Sequence, residues 1–182
     1  ILIIHLLSKI IGFYKTFLTI VLFTFEPFFV GNSRLYHLDV LTTLLLLLSL
    51  IYAFMGLKKD RLIYQILAGL FLALSFLTKS ISVGAVLFVI FYAISYFVFS
   101  KQQKRVVKYC IVTFLSFAFF TFLLFPALWV KPVYYLSFIF SESFRVGVRK
   151  GHSQILLGET TKDPGFWFYP LVILIKSSPF LL

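Results

Sequence analysis

Apolar residues come in long unbroken blocks along this chain, with polar residues in short clusters between them. Blocks at 16–30, 40–55, 62–77, 83–98 and 109–130, with a stub at 1–7 and a last block at 166–182, are separated mostly by groups of Lys and Arg. Runs such as 44–50 and 83–98 lack the alternation of apolar and polar side chains that the strands of a closed barrel need, so the predicted elements are helices. A straight crossing of a bilayer takes ~20 residues. The shorter blocks are therefore expected to extend into flanking polar residues or to sit in a thinned region. The predicted fold class is all-α: a polytopic transmembrane helical bundle with a long outer loop carrying an interfacial helix, the whole of 1–182 forming a single domain.

Alternating the loops across a membrane puts Lys9, Lys15, Lys58, Lys59, Arg61, Lys101, Lys104, Arg105 and Lys108 on one side, against Arg34 and Lys79 in the short loops opposite. By the bias of Lys and Arg toward the cytoplasm, the first side is inside. The segments 31–38, 78–82 and 129–165 then face outward. Of the acidic residues, Glu26, Asp39, Glu142, Glu159 and Asp163 fall on or near the outer side and Asp60 on the inner.

Within the long outer loop, 134–149 carries aromatic and aliphatic side chains interrupted at every fourth position by Ser137, Ser141, Arg145 and Arg149. That spacing predicts an amphipathic helix lying in the interface. Trp129, Trp167 and Tyr169 bracket the loop where interfacial anchors belong.

Composition agrees with lipid as the solvent. The chain is 61% hydrophobic and 13% charged, with a mean hydropathy of +1.03, which is more apolar surface than a soluble fold of this length hides. A net charge of +11 raises the question of nucleic acid, yet the basic residues sit mostly at helix ends and not on one polar face, so no nucleic-acid partner is expected. Cys110 has no second cysteine to pair with and reads as a small core residue. There is no Gly-rich phosphate cradle, internal repeat or Cys and His metal spacing. No cofactor or metal ligand is assigned, and dependence on a divalent metal is left open. The chain opens on Ile1 without an initiator Met or charged leader and closes on apolar residues, so it is expected to be an internal piece of a longer protein.

Ionisable groups near the outer ends of spans are the candidates for chemistry, because such groups are costly in lipid. Asp39 follows the polar step that begins at Ser33-Arg34 and stands in the first turn of the inward-running helix, where the helix dipole favours a carboxylate. An N-terminal cap with Arg34 as surface partner accounts for the same position. Lys79, in Leu77-Thr78-Lys79-Ser80, closes a helix on the face where lysine is scarce and can hold an anionic head group, or simply snorkel to the interface. The cluster Arg145, Arg149, Lys150 and His152 can hold a phosphate or sugar, against the default of a solvated basic face. Glu26, followed by Pro27, either faces a cavity or lies at a helix end where the proline bends the chain. His5 and His37 receive no role.

The order of these features resembles the membrane glycosyltransferases of the C-type fold, in the branch containing protein O-mannosyltransferases and lipid A aminoarabinose transferases. A helix ends outside in a segment like Glu26-Pro27 through Ser33-Arg34, and an Asp opens the next helix, as Asp39 does. A following helix resembles 69–79, with Thr78-Lys79 at its outer end, and a long loop with Gly151-His152 and Leu157-Gly158 leads to the aromatic and proline segment 165–170. The resemblance covers nearly the whole chain and is carried by the order of short motifs.

It implies transfer of a sugar, hexosyl or mannosyl, from a polyprenyl-phosphate donor to a protein, lipid or glycan acceptor, by direct displacement with inversion, on the outer face of the plasma membrane. Such a reaction asks for a carboxylate to take the acceptor's proton and cations to stabilise the departing phosphate. The resemblance makes Asp39 the second acidic residue of the site, assisting as base or orienting the acceptor. Arg34, Lys79 and His152 are the expected substrate-binding residues, toward the donor's phosphate. The principal acidic motif of such enzymes is expected upstream of Ile1, in a first outer loop after an N-terminal helix. The alternative is a non-enzymatic membrane protein, a transporter or lipid-binding scaffold, in which Asp39 and Lys79 cap helices. Transporters place ionisable residues or broken helices near the bilayer middle, and these blocks contain few of either.

Overall fold

In the computed structural model, residues 1–34, 38–79, 94, 103–148, 154–156, 159–161 and 165–176 are described. The apolar blocks form helices whose ends are set by Gly, Pro and one Asp. Helix α1 (Leu2–Ile11) absorbs the predicted stub together with Lys9, and stops at Gly12, whose φ of 89° lies in the region open to glycine. Helix α2 (Phe13–Thr24) follows at once.

The block 16–30 was expected to be one span, but it is broken: α3 (Pro27–Arg34) begins a separate helix at Pro27. Proline is suited to a first helical position because its missing N–H would be unbonded there anyway. Glu26 sits at this break and is buried.

Helix α4 (Asp39–Lys59) and helix α5 (Leu62–Thr78) form a tight antiparallel hairpin. The turn is made by Asp60, left-handed at φ 56° and ψ 46°, a conformation that Asp tolerates better than most side chains. Helix α6 (Gln103–Leu124) starts earlier than the block 109–130 predicts and ends before Pro126. The rest of that block turns into the short α7 (Ala127–Val130). Helices α4 and α6 are each long and apolar enough to cross a membrane. α1, α2 and α5 are shorter and apolar. The predicted block 83–98 lies outside the described residues, apart from Ile94.

Helix α8 (Pro132–Val148) occupies most of the predicted amphipathic segment, and Arg149 lies outside the described residues. Its side chains Val133, Tyr134, Phe138, Phe140 and Phe144 are exposed. The fold is all-α as expected, and beyond α8 the described residues add one small antiparallel hairpin. β1 (Gln154–Leu156) pairs with β2 (Glu159–Thr161) in the register Gln154↔Thr161, Ile155↔Thr160 and Leu156↔Glu159. Helix α9 (Phe168–Lys176) follows.

The core lies where α4, α5 and α6 meet. Leu48, Ile51, Tyr52, Ala53 and Met55 of α4 pack on Ala68 of α5, with Leu6 of α1 closing one side. The Tyr52 and Phe71 rings stack at 5.4 Å. Between α5 and α6 the backbones come close at Gly69, where an added Cβ would stand 2.7 Å from the Thr113 carbonyl oxygen and 2.8 Å from the Phe117 nitrogen. Small residues at such crossings let apolar helices gain van der Waals contact where lipid offers no hydrophobic drive. The outward face of α6 exposes Phe114, Leu115, Phe119, Phe122 and Leu123, a lining that fits hydrocarbon better than water.

Buried polar side chains stitch the three helices together. Ser75 Oγ donates to the Thr42 carbonyl at 3.1 Å, Ser49 Oγ to the Ala68 carbonyl at 2.8 Å, and Gln65 Nε2 to the Ala53 carbonyl at 3.0 Å. The other end of the Gln65 amide accepts from Thr113 Oγ1 at 2.6 Å, so one side chain bonds both neighbouring helices. Interhelical bonds of this kind contribute about 0.6 kcal/mol each in a membrane. At the turn, Asp60 accepts from the Tyr109 hydroxyl and pairs with Arg105 Nε at 3.0 Å, while Arg105 also donates to the Leu57 carbonyl.

These contacts set direction. Residues early in α6 lie beside the α4–α5 turn, and Phe117, further along, meets Phe76 near the end of α5. Helix α6 therefore runs parallel to α5.

Candidate active site at the open end of the α4–α5 hairpin

Asp39 opens α4 and Lys79 follows the last residue of α5, which places them 40 residues apart in sequence and side by side in space. Lys79 Nζ donates to Asp39 Oδ1 in an ion pair. The hairpin register makes this meeting unavoidable. Each cross-helix bond, Gln65 to Ala53, Ser49 to Ala68 and Ser75 to Thr42, is mirrored about the same point near the turn, and the next step outward brings Lys79 to Asp39.

The local backbone holds both ends. The Thr42 hydroxyl donates to the Leu38 carbonyl at 2.8 Å, and the Lys79 N–H to the Ser75 carbonyl at 3.1 Å. Helix dipoles favour both charges, an anion in a first turn and a cation at a carboxyl end.

The side chains of Lys79 and Asp39 are 45% and 51% exposed, so the pair can be reached from outside. An exposed pair of this kind contributes about 0.2–1 kcal/mol, so an anionic ligand can compete with Asp39 for Lys79. The pair combines a hydrogen-bond acceptor and a cation within reach of one substrate.

The other expected site residues fare differently. Arg34 ends α3 and is exposed. Among the described residues the partner of Asp39 is Lys79, and no ion pair joins it to Arg34. His152, Arg149 and Lys150 lie outside the described residues. Arg145 of the same predicted cluster is held by Glu142, which accepts from Nε at 2.9 Å and from a terminal guanidinium nitrogen at 2.6 Å. That hydrogen bond and the adjacent negative charge raise the Arg145 pKa above its ordinary value. Its charge is partly answered within α8.

Residue-by-residue reading of the sequence treats Asp39 and Lys79 as separate candidates and leaves Gln65 without a role. The signal for the pairing is the short connection at Asp60-Arg61, because residues equidistant from a tight turn between two helices face one another. The opposite end of the hairpin is basic: Lys58, Lys59, Arg61, Lys104 and Lys108 are exposed there, and Asp60 is tied to Arg105. Helix α4, at ~1.5 Å per residue, sets the two ends about 30 Å apart, the thickness of a hydrocarbon core. Among the described residues no group of three or more His, Cys, Asp and Glu side chains comes together.

An apolar helical bundle with an accessible carboxylate and ammonium at one rim defines a membrane protein with a charged site at a helix-end surface. The family model for dolichyl-phosphate-mannose-protein mannosyltransferase matches residues 1–131, and the chain belongs to that family. It is a membrane glycosyltransferase of the mannosyltransferase type. The matched segment runs from α1 through α7 and includes Arg34, Asp39 and Lys79. No curated protein and no solved structure matches the chain.

Proposed function

We propose that this chain is part of a multi-pass transferase domain that moves a sugar from a polyprenyl phosphate to an acceptor hydroxyl on the outer face of the membrane. The observation that carries the reading is the Asp39–Lys79 pair, accessible at one rim of the bundle in a chain of this family. Membership of the dolichyl-phosphate-mannose-protein mannosyltransferase family supports a dolichyl-phosphate-mannose type of donor and a protein acceptor. Sidedness rests on charge. The exposed lysines and arginine at the turn of the hairpin belong inside by the cytoplasmic bias of basic residues, and the pair at the other end then faces outward.

In the reaction, the acceptor oxygen attacks the anomeric carbon from the side opposite the phosphate. The bond from that carbon to the phosphate oxygen breaks, the polyprenyl phosphate leaves with the bonding electrons, and the configuration inverts. The acceptor's proton goes to a carboxylate, and Asp39 assists by accepting it or by holding the hydroxyl in line. Lys79 stabilises the leaving phosphate, whose low basicity removes the need for a general acid. Arg34 and His152 are the further proposed contacts to the phosphate, and the lipid-linked sugar enters as a substrate.

The test is sugar transfer by the intact protein in membranes carrying Asp39→Asn. The expected result is a loss of about 10²-fold or more, within the usual range for a residue of proton-transfer catalysis, with unchanged membrane insertion. Transfer at the wild-type rate removes Asp39 from the mechanism.

A further inference from the structure

The proposed function gives Asp39 and Lys79 separate tasks, yet the two side chains are bonded to each other in the structure. The bond takes one carboxylate oxygen and one of the three ammonium hydrogens, and the two charges offset each other, so each group answers a substrate less strongly while they are paired. We infer that the pair is a donor-operated latch: the donor's phosphate competes with Asp39 for Lys79, and drawing the ammonium away leaves the Asp39 carboxylate a stronger acceptor for the acceptor's proton.

Two observations carry this inference, which rests on the proposed transferase reading. Both side chains are about half exposed, so an incoming phosphate meets Lys79 without first displacing a packed core. The backbones beneath them are fixed, because Ser75 Oγ bonds the Thr42 carbonyl one turn further in and the Lys79 N–H bonds the Ser75 carbonyl. The exchange is therefore a matter of side-chain rotation at the rim, with the helices in register. Because Lys79 serves both the donor's phosphate and Asp39, donor binding favours acceptor activation.

Titration calorimetry on the intact protein in nanodiscs, with a water-soluble isoprenyl phosphate as probe, tests the exchange. With Asp39→Asn, Lys79 no longer has a competing carboxylate, and the probe is expected to bind about three- to tenfold more tightly than to wild type, the scale of an exposed ion pair plus the repulsion removed with it. That gain should largely disappear when Lys79→Met is added, and the corresponding isoprenyl alcohol should bind both proteins alike. Equal or weaker binding of the phosphate to Asp39→Asn overturns the latch and leaves the transferase reading standing. A gain that survives in full with Lys79→Met, or that the alcohol shows equally, also overturns it. Failure of the wild type to bind the phosphate at all overturns the transferase reading and the latch with it.

A second measurement needs no variant: saturating isoprenyl phosphate should speed the labelling of Asp39 by a hydrophobic carbodiimide in the wild-type protein. An unchanged labelling rate contradicts the exchange.

Discussion

At the scale of single residues, Lys79 decides how the site treats an anion. It is a cation at the end of an apolar helix, half open to the surroundings, with a partner that holds it weakly. Replacing it with methionine keeps the length of the side chain and removes the charge. Steady-state kinetics of Lys79→Met should show a KM for the lipid-linked donor raised about tenfold or more, the loss expected for one charge-assisted hydrogen bond. Lys79→Arg should recover most of this if charge is what matters, and an equal defect in both variants would point to a geometric role instead. The two residues of the pair were individually legible in the sequence, because an acid opening one apolar block and a lysine closing another are rare in lipid. Their contact was not legible from position alone. Arg34 shows the limit from the other direction, since its nearness to Asp39 in sequence suggested a surface pair, whereas α3 carries it to an exposed position and the carboxylate pairs with Lys79.

At the scale of elements, the α4–α5–α6 unit depends on close approach and on a few buried polar bonds. A leucine at Gly69 would meet the Thr113 carbonyl and the Phe117 backbone, neither of which can turn aside as a side chain would. Gly69→Leu should destabilise the protein by about 1–3 kcal/mol, the usual cost of overpacking, measured as a lowered unfolding midpoint in detergent. Gln65→Leu loses a bond to each neighbouring helix and should cost about 1 kcal/mol by the same measurement, taking ~0.6 kcal/mol per interhelical bond. A midpoint unchanged in both would mean that the helices repack freely. Much of this layer was readable in advance: the apolar blocks 40–55 and 62–77 correspond to α4 and α5 with modest changes at their ends. The single span expected at 16–30 failed because Pro27 starts a new helix more readily than it continues an old one, and hydrophobicity alone does not register that. The small hairpin β1–β2 lay inside a loop read for its aromatic residues and not for pairing.

At the scale of the whole molecule, the distribution of charge sets orientation, and orientation decides which substrates the pair can meet. The chain's lone cysteine, Cys110, simplifies the test: in a Cys110→Ser background, Leu38→Cys should react with a membrane-impermeant thiol reagent added outside intact cells, and Lys104→Cys only after the membrane is permeabilised. The reverse pattern would place Asp39 and Lys79 in the cytosol and end the outward-facing reading. The division of the bundle into two parts has a further consequence. Helices α4 and α5 are cross-bonded from near the Asp60 turn to the rim and α6 is bonded to them at Asp60 and Gln65, while α1 and α3 touch α4, α2 meets α1 and α3, and the three are interrupted at Gly12 and at Glu26-Pro27. Hinges form at such element ends, where a few backbone angles absorb a large displacement. If the catalytic cycle includes an opening and closing step, the swinging arm is the amino-terminal trio, and the cross-bonded helices form the stationary jaw against which it closes.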